Sequence, residues 1–341
     1  MRNILILFVL LLGFQQHCLG QDQGVLLGQA RHFMLMDKNE RIDFIKFDTA
    51  LSVKKPVFLF CQGSLPVPLA VHSAQYGDFI IGGGITNFDL QNITRHYHVI
   101  VISMPETPLL ADEKNLNAQY CYVPDTTQKQ QLSKAFLEAD YLEHYVQRAK
   151  RVWQYLKKQP WVDASKLVVA GHSQGSKVAT KIAKSNKSVT HLGLFGANPF
   201  GRVDQFVREA RLNAQLGKMS WEAADQEMEA NYQEFQKAYQ PDSVRVNPGL
   251  LALKTFSEPF YDDWLQLNIP IYLAYGTEDR TADLCDLMPL FFIQADKHNL
   301  SCKRYLKLEH NFFEVAENGR PDYNKGHWPE VMQAFIDWSL K

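Results

Sequence analysis

Short, uninterrupted apolar runs recur along the chain at residues 56–61, 99–102, 167–170, 192–195 and 269–275. Each has the length of a strand covered on both faces, as strands of a parallel sheet are. Residues 41–48 alternate apolar and polar instead, the period of a half-exposed strand near a sheet edge. Residues 304–308 form the last strand candidate. Between these runs the period changes. Leu142, Val146, Ala149, Trp153 and Leu156 recur every three or four residues, as do Val178, Ala179, Ile182 and Ala183. Val331, Met332, Phe335 and Trp338 do the same near the end of the chain. Such spacing lays one apolar stripe along a helix. Strands alternating with helices predict parallel strands joined by right-handed crossovers, hence one doubly wound, mostly parallel α/β sheet.

The alternation is broken at about residues 199–267, where a connection usually takes about four to six residues. Residues 206–216 and 221–239 carry helical patterns, and 241–248 carry turn chemistry. An insertion there predicts a helical cap over the carboxyl ends of the strands; an ornament at the sheet edge is the alternative. Its aromatic residues, among them Trp221, Tyr232, Phe256 and Trp264, are candidates for walling an apolar pocket or for the cap's own core.

The first residues follow another rule. Arg2 precedes the apolar block 4–14, and small residues lie near Gly20. The block is too short to span a bilayer comfortably and reads as a secretory signal peptide over 1–20. A cleaved chain would begin at Gln21, run to Lys341 as one domain, and be secreted or periplasmic without stable membrane insertion. Export permits disulfides. Cys61, Cys121, Cys285 and Cys302 would remain, and Cys285 with Cys302 is the first choice because they flank one helix–strand connection. Of the 341 residues, 46% are hydrophobic and 21% charged, and the formal net charge is −1. That balance suits a large globular core and offers nucleic acid no basic patch.

Gly171-His172-Ser173-Gln174-Gly175 sits directly between an apolar run and a helical stripe. A serine flanked this way occupies a sharp strand-to-helix turn, with its hydroxyl lifted above the sheet. A hydroxyl needs a base to take its proton and a third group to orient that base. Asp279 follows the run 269–275 in Gly276-Thr277-Glu278-Asp279, and His310 follows the last strand candidate in Glu309-His310-Asn311. Glu278 and Asp283 are rival acids, and His298 and His327 rival bases. His172 is expected to pack beside the sheet. His96 and His98 share a strand face with no carboxylate or cysteine nearby, so no metal is expected.

The order Ser173, Asp279, His310 at successive strand ends resembles the α/β-hydrolase superfamily, over roughly residues 56–341. Val162-Asp163-Ala164-Ser165-Lys166 is similar to esterase and dienelactone-hydrolase-like members. The resemblance implies Ser173 as nucleophile, Asp279 as acid and His310 as base, with no cofactor. It implies oxyanion donors at the amide of Gln174 and in the loop 62–65, with Ser64 the expected position. Gln62 replaces the histidine common in that loop, and no His-Gly-Gly-Gly run is present. Gly82-Gly83-Gly84 lacks the lysine and hydroxyl of a phosphate-binding loop and reads as a flexible loop. The expected activity is hydrolysis of a small carboxylic ester with water as second substrate. A prolyl-oligopeptidase-like peptidase is the nearest rival, and a non-catalytic binding module on the same scaffold is the other.

Overall fold

The computed structural model describes residues 20–341. The expected leader therefore lies outside the described residues, apart from Gly20, which opens the first strand. Strands β1 (Gly20–Leu26), β2 (Ala30–Asp37) and β3 (Glu40–Phe47) form an antiparallel meander. After β4 (Lys55–Cys61) come the small strands β5 (Ala70–Ser73) and β6 (Gly77–Ile80), helix α1 (Leu90–His96) and strand β7 (His98–Ile102). The short β8 (Leu110–Asp112) pairs with β5, and α2 (Lys134–Ala139) and α3 (Leu142–Leu156) lead into β9 (Val162–His172). Helix α4 (Gln174–Ser185) then leads to β10 (Val189–Phe195).

Five helices fill the predicted insertion: α5 (Arg202–Gln215), α6 (Trp221–Lys237), α7 (Pro241–Val246), α8 (Gly249–Thr255) and α9 (Tyr261–Gln266). The expected turn at 241–248 is a helix for most of its length, with Pro241 in the first turn, where its missing N–H costs nothing. The chain closes with β11 (Ile271–Gly276), α10 (Ala282–Gln294), β12 (Leu300–Tyr305), the hairpin β13 (Phe313–Val315) and β14 (Pro321–Gly326), and α11 (Trp328–Ser339).

The main sheet has nine strands among the described residues, in the order β1-β2-β3-β7-β4-β9-β10-β11-β12. The six from β7 to β12 run parallel. Side chains alternate across this sheet. Val57 and Leu59 of β4 enter the core shared with α3, α4 and α10, while Phe58 and Phe60 enter the core shared with α1 and α11. Burying each such side chain is worth about 1.5–3 kcal/mol, which is why both faces of these strands had to be apolar.

Two strand expectations need correction. β3 is neither half-exposed nor near an edge, because β1 and β2 extend the sheet beyond it. Its polar positions Asp43 and Lys46 are buried but compensated. Lys46 Nζ donates to the carbonyl and the carboxylate of Asp48 at 2.7 and 2.9 Å, and Asp43 accepts from Arg41. The last strand ends at Tyr305 rather than running through 304–308. As an edge strand paired only with β11, it exposes Cys302, Lys303 and Arg304, which masks its apolar pattern.

The disulfide expectation also fails. Cys61, Cys121, Cys285 and Cys302 are all free thiols. Cys285 lies in the core and donates to the carbonyl of Ala197 at 3.1 Å, whereas Cys302 faces out from the edge strand. Its surroundings push the partly buried Cys61 thiol up to about 12, so it stays protonated.

Candidate active site

Ser173 directly follows β9 and caps α4 with φ 56° and ψ −123°, a backbone state that residues other than glycine rarely adopt. The turn is this tight because nothing larger than hydrogen fits on either side. A Cβ on Gly171 would lie 2.0 Å from the carbonyl oxygen of Gly175, and one on Gly175 would lie 2.0 Å from that of Cys61. The strain makes a test possible. Ser173→Gly and Ser173→Ala both remove the hydroxyl, but only glycine relaxes at this φ. Thermal or denaturant unfolding should find the glycine variant more stable by about 1 kcal/mol.

Asp279 follows β11 and His310 follows β12, so both reach the carboxyl rim of the sheet where Ser173 stands. Asp279 Oδ2 accepts from His310 Nδ1 at 2.7 Å. Asp279 is 7% exposed, and its other oxygen accepts from the amide and hydroxyl of Thr281. Burial works against the carboxylate, yet the His310 imidazole and the Thr281 donors outweigh it and hold Asp279 below its usual range. Burial likewise opposes the charged form of His310, but the bond to Asp279 and its charge leave the imidazole raised above the ordinary histidine value.

The loop carrying His310 is pinned from two directions. Glu278 N–H donates to the carbonyl of Leu308 at 2.9 Å, close behind Gly276, where a Cβ would lie 2.0 Å from that same oxygen. His172 Nε2 donates to the carbonyl of His310 at 3.0 Å. Burial first, and then the neighbouring His310, lower His172 to about 3, so it remains neutral and supplies that donor at all working pH. His172 is thus more than packing: it braces the partner of Ser173, with Trp328 edge-on against its ring.

Ser173 and His310 line two cavities in common. Among the described residues the serine hydroxyl makes no hydrogen bond to His310 Nε2, a looseness common at such sites before substrate arrives. Gln174 opens α4, so its amide precedes the helical ladder and is free for a ligand. Ser64 lines both cavities, and its loop is fixed by Gln62 Nε2 donating to the carbonyl of Ile102 at 2.8 Å. Gly82, Gly83 and Gly84 all have positive φ in a short 3₁₀ segment rather than a free loop. A Cβ on Gly83 would strike the Gln62 side chain at 2.5 Å, so this glycine permits the brace.

The rival side chains stand elsewhere. Glu278 is exposed, and Asp283 pairs with Arg208 of α5. His298 pairs with Asp296 on the surface, and His327 pairs with Glu330 at the start of α11. His98 is buried at the start of β7 and bonds the carbonyl of Trp161. Among the described residues no group of His, Cys, Asp or Glu has the arrangement to hold a metal ion, and no helix is long and apolar enough to cross a membrane.

Most of the smaller cavity's wall was not foreseen from the sequence. Leu132, Leu137 and Asp140 come from the long segment after β7, and Arg202, Gln205, Phe206 and Ala252 from the inserted helices. Of the inserted aromatic candidates, Phe256 reaches the cavity; Trp264 is core, donating to Thr180 Oγ1 at 2.8 Å, and Trp221 and Tyr232 are exposed.

Known structures share this arrangement of strands. A putative dienelactone hydrolase from Klebsiella pneumoniae superposes with a TM-score of 0.51 at 12% identity, covering 90% of this chain and 95% of its own. Acetyl xylan esterase 1 from Thermoanaerobacterium superposes at 0.50 with 13% identity, covering 95% and 88%. The chain has the α/β-hydrolase fold. The acylaminoacyl peptidase of Pyrococcus horikoshii gives a TM-score of 0.51 at 12% identity over 92% of this chain, which spans only 44% of that protein. The sequence profile of the prolyl oligopeptidase family matches residues 147–256, a stretch with the serine elbow but neither Asp279 nor His310. No curated protein matches the sequence. Within the α/β-hydrolase fold, the three side chains singled out from the sequence lie at the strand ends where the sheet presents its carboxyl rim.

Proposed function

We propose that the protein is an exported serine hydrolase that cleaves carboxylic esters through an acyl-enzyme on Ser173. The observation that carries this reading is the His310–Asp279 hydrogen bond beside a serine on a strained strand-to-helix turn. In this reading His310 Nε2 takes the hydroxyl proton as Ser173 Oγ attacks the ester carbonyl. The oxyanion forms against the amides of Gln174 and Ser64, each such donor being worth about 3 kcal/mol. Collapse expels the alcohol with the proton from His310. Water then repeats the sequence on the acyl-enzyme, and no cofactor is required. The leader-like residues 1–20 motivate export, and N-terminal sequencing of protein from its source should find Gln21 first.

Amide cleavage is the second reading, favoured by the family profile over residues 147–256 and by the likeness to an acylaminoacyl peptidase. A non-catalytic binder on the same fold has no specific observation in its favour. A fluorophosphonate probe should label wild-type protein at Ser173 and leave Ser173→Ala unlabelled. In one assay panel, short esters should then turn over faster than blocked peptide amides. An unlabelled wild type would sink the hydrolase reading, and the reverse order in the panel would move it to the peptidases.

A further inference from the structure

The two cavities beside Ser173 differ in chemistry. The larger, about 630 Å³, is lined by groups such as Phe60, Phe79, Phe88, Tyr120 and Trp328, and no Asp, Glu, Lys or Arg lines it. The smaller, about 440 Å³, has Asp140, Gln174, Lys177 and Arg202 in its wall. Gln174 links two of these, donating to Asp140 Oδ1 at 3.2 Å and accepting from Arg202. Asp140 Oδ1 also accepts the Tyr145 hydroxyl at 2.7 Å.

The cations are not matched in the same way. Among the described residues neither Arg202 nor Lys177 has a carboxylate within ion-pair distance. Arg202 gives one N–H to Gln174, and its guanidinium lies 5.2 Å from the Phe256 ring centre. Its remaining N–H groups have no side-chain partner there. Lys177 is 6% exposed, donates to the carbonyl of Phe256 at 2.6 Å, and stands 4.9 Å from the Phe260 ring centre. Buried charges are ordinarily paired, since an unpaired one forfeits its hydration without return. Burial first, and then Arg202 close by, lower Lys177 to about 7 against the weaker pull of Asp204. Two basic groups facing one cavity, with the nearby acids Asp140 and Asp204 each already held by other donors, leave the place of an anion to the substrate.

We infer that the smaller cavity binds a carboxylate carried by the substrate, through Arg202 with Lys177 beside it, while the aromatic cavity takes an uncharged apolar group. The inference rests on the hydrolase reading and narrows it to esters that bear a free acid at one end. The planar guanidinium suits a carboxylate because its N–H groups can meet both oxygens.

The test uses matched ester pairs. The para-nitrophenyl monoester of glutaric acid is compared with para-nitrophenyl butyrate, which puts the acid on the acyl half. Para-carboxyphenyl butyrate against phenyl butyrate puts it on the alcohol half. Wild type should prefer the acid-bearing ester in one pair by about tenfold or more in kcat/KM. In Arg202→Met that preference ratio should fall by about tenfold or more, to near parity, as for loss of a charge-assisted hydrogen bond, and Arg202→Lys should restore part of it. The ratio is internally normalised, so partial unfolding of a variant does not imitate the result. Calorimetric titration of wild type with glutarate and butyrate reads the same site without turnover. Ratios near one in both pairs, with glutarate binding no tighter than butyrate, would overturn the inference even if Ser173 labels. Glutarate binding weakened by Arg202→Met, with no turnover of any ester, would sustain the anion site and sink the hydrolase reading.

Discussion

Ser173→Ala is expected to lower kcat on a para-nitrophenyl ester by about 10⁶-fold, and His310→Ala by a similar factor. The double variant should be no worse than either single one. Without the hydroxyl the imidazole has no nucleophile to activate, and without the imidazole the hydroxyl keeps its proton. Residues acting as one unit are lost together, so their effects do not multiply. In the proposed mechanism, what survives is substrate held against the amides of Gln174 and Ser64, where water attacks slowly. Steady-state rates for the three variants decide the matter. Losses that multiply, or an alanine at 173 that retains most of the rate, would remove Ser173 from the chemistry. The backbone at 173 is already strained in wild type, so alanine adds no new steric demand and the loss is chemical rather than structural.

The central sheet and the serine elbow were legible because their causes are local. A strand buried on both faces must be apolar throughout, as Val57, Phe58, Leu59 and Phe60 are. The elbow must carry glycine wherever backbone passes within contact of a Cβ, as Gly171 and Gly175 do. Asp279 and His310 were legible for a similar reason: each follows a recognisable run within a few residues of the sheet's rim. The outer strands were not. β1 is held by pairing to β2; β2 puts Phe33 and Leu35 into the core, but Arg31, His32 and Asp37 interrupt its apolar run, and Asp43 and Lys46 disguise β3 as a surface strand. Nor could spacing reveal Asp140 or Arg202, since the cavity they share joins segments far apart in the chain. The cysteines failed for a third reason. Their pairing was read from an even count and a short interval, whereas the fold places Cys285 inward and Cys302 outward.

Asp279→Asn should cut kcat by about 10⁴-fold and also move the pH profile, which separates orientation from simple loss of structure. The asparagine can bond His310 Nδ1 but carries no charge, so it neither fixes the needed tautomer nor stabilises the imidazolium. In the proposed mechanism the base works only when neutral, and Asp279 holds the His310 imidazole above the ordinary value of about 6.5. The acid limb of kcat/KM should therefore fall at a pH above that value. In the variant, burial of His310 acts unopposed and favours the neutral ring, so the limb should shift to lower pH although the plateau is far lower. Stability follows the opposite sign on each partner. The raised His310 contributes fully below its unfolded value, and its contribution is lost as pH rises through the folded one. The depressed Asp279 contributes above its unfolded value, and that is lost as pH falls through its folded one. The unfolding-temperature difference between wild type and Asp279→Asn should thus peak in mildly acidic solution, where both charges are present, and narrow on either side. A difference that does not change with pH would mean that the His310–Asp279 contact carries no ion pair in solution. An unshifted acid limb would mean that another group, and not His310, takes the serine proton.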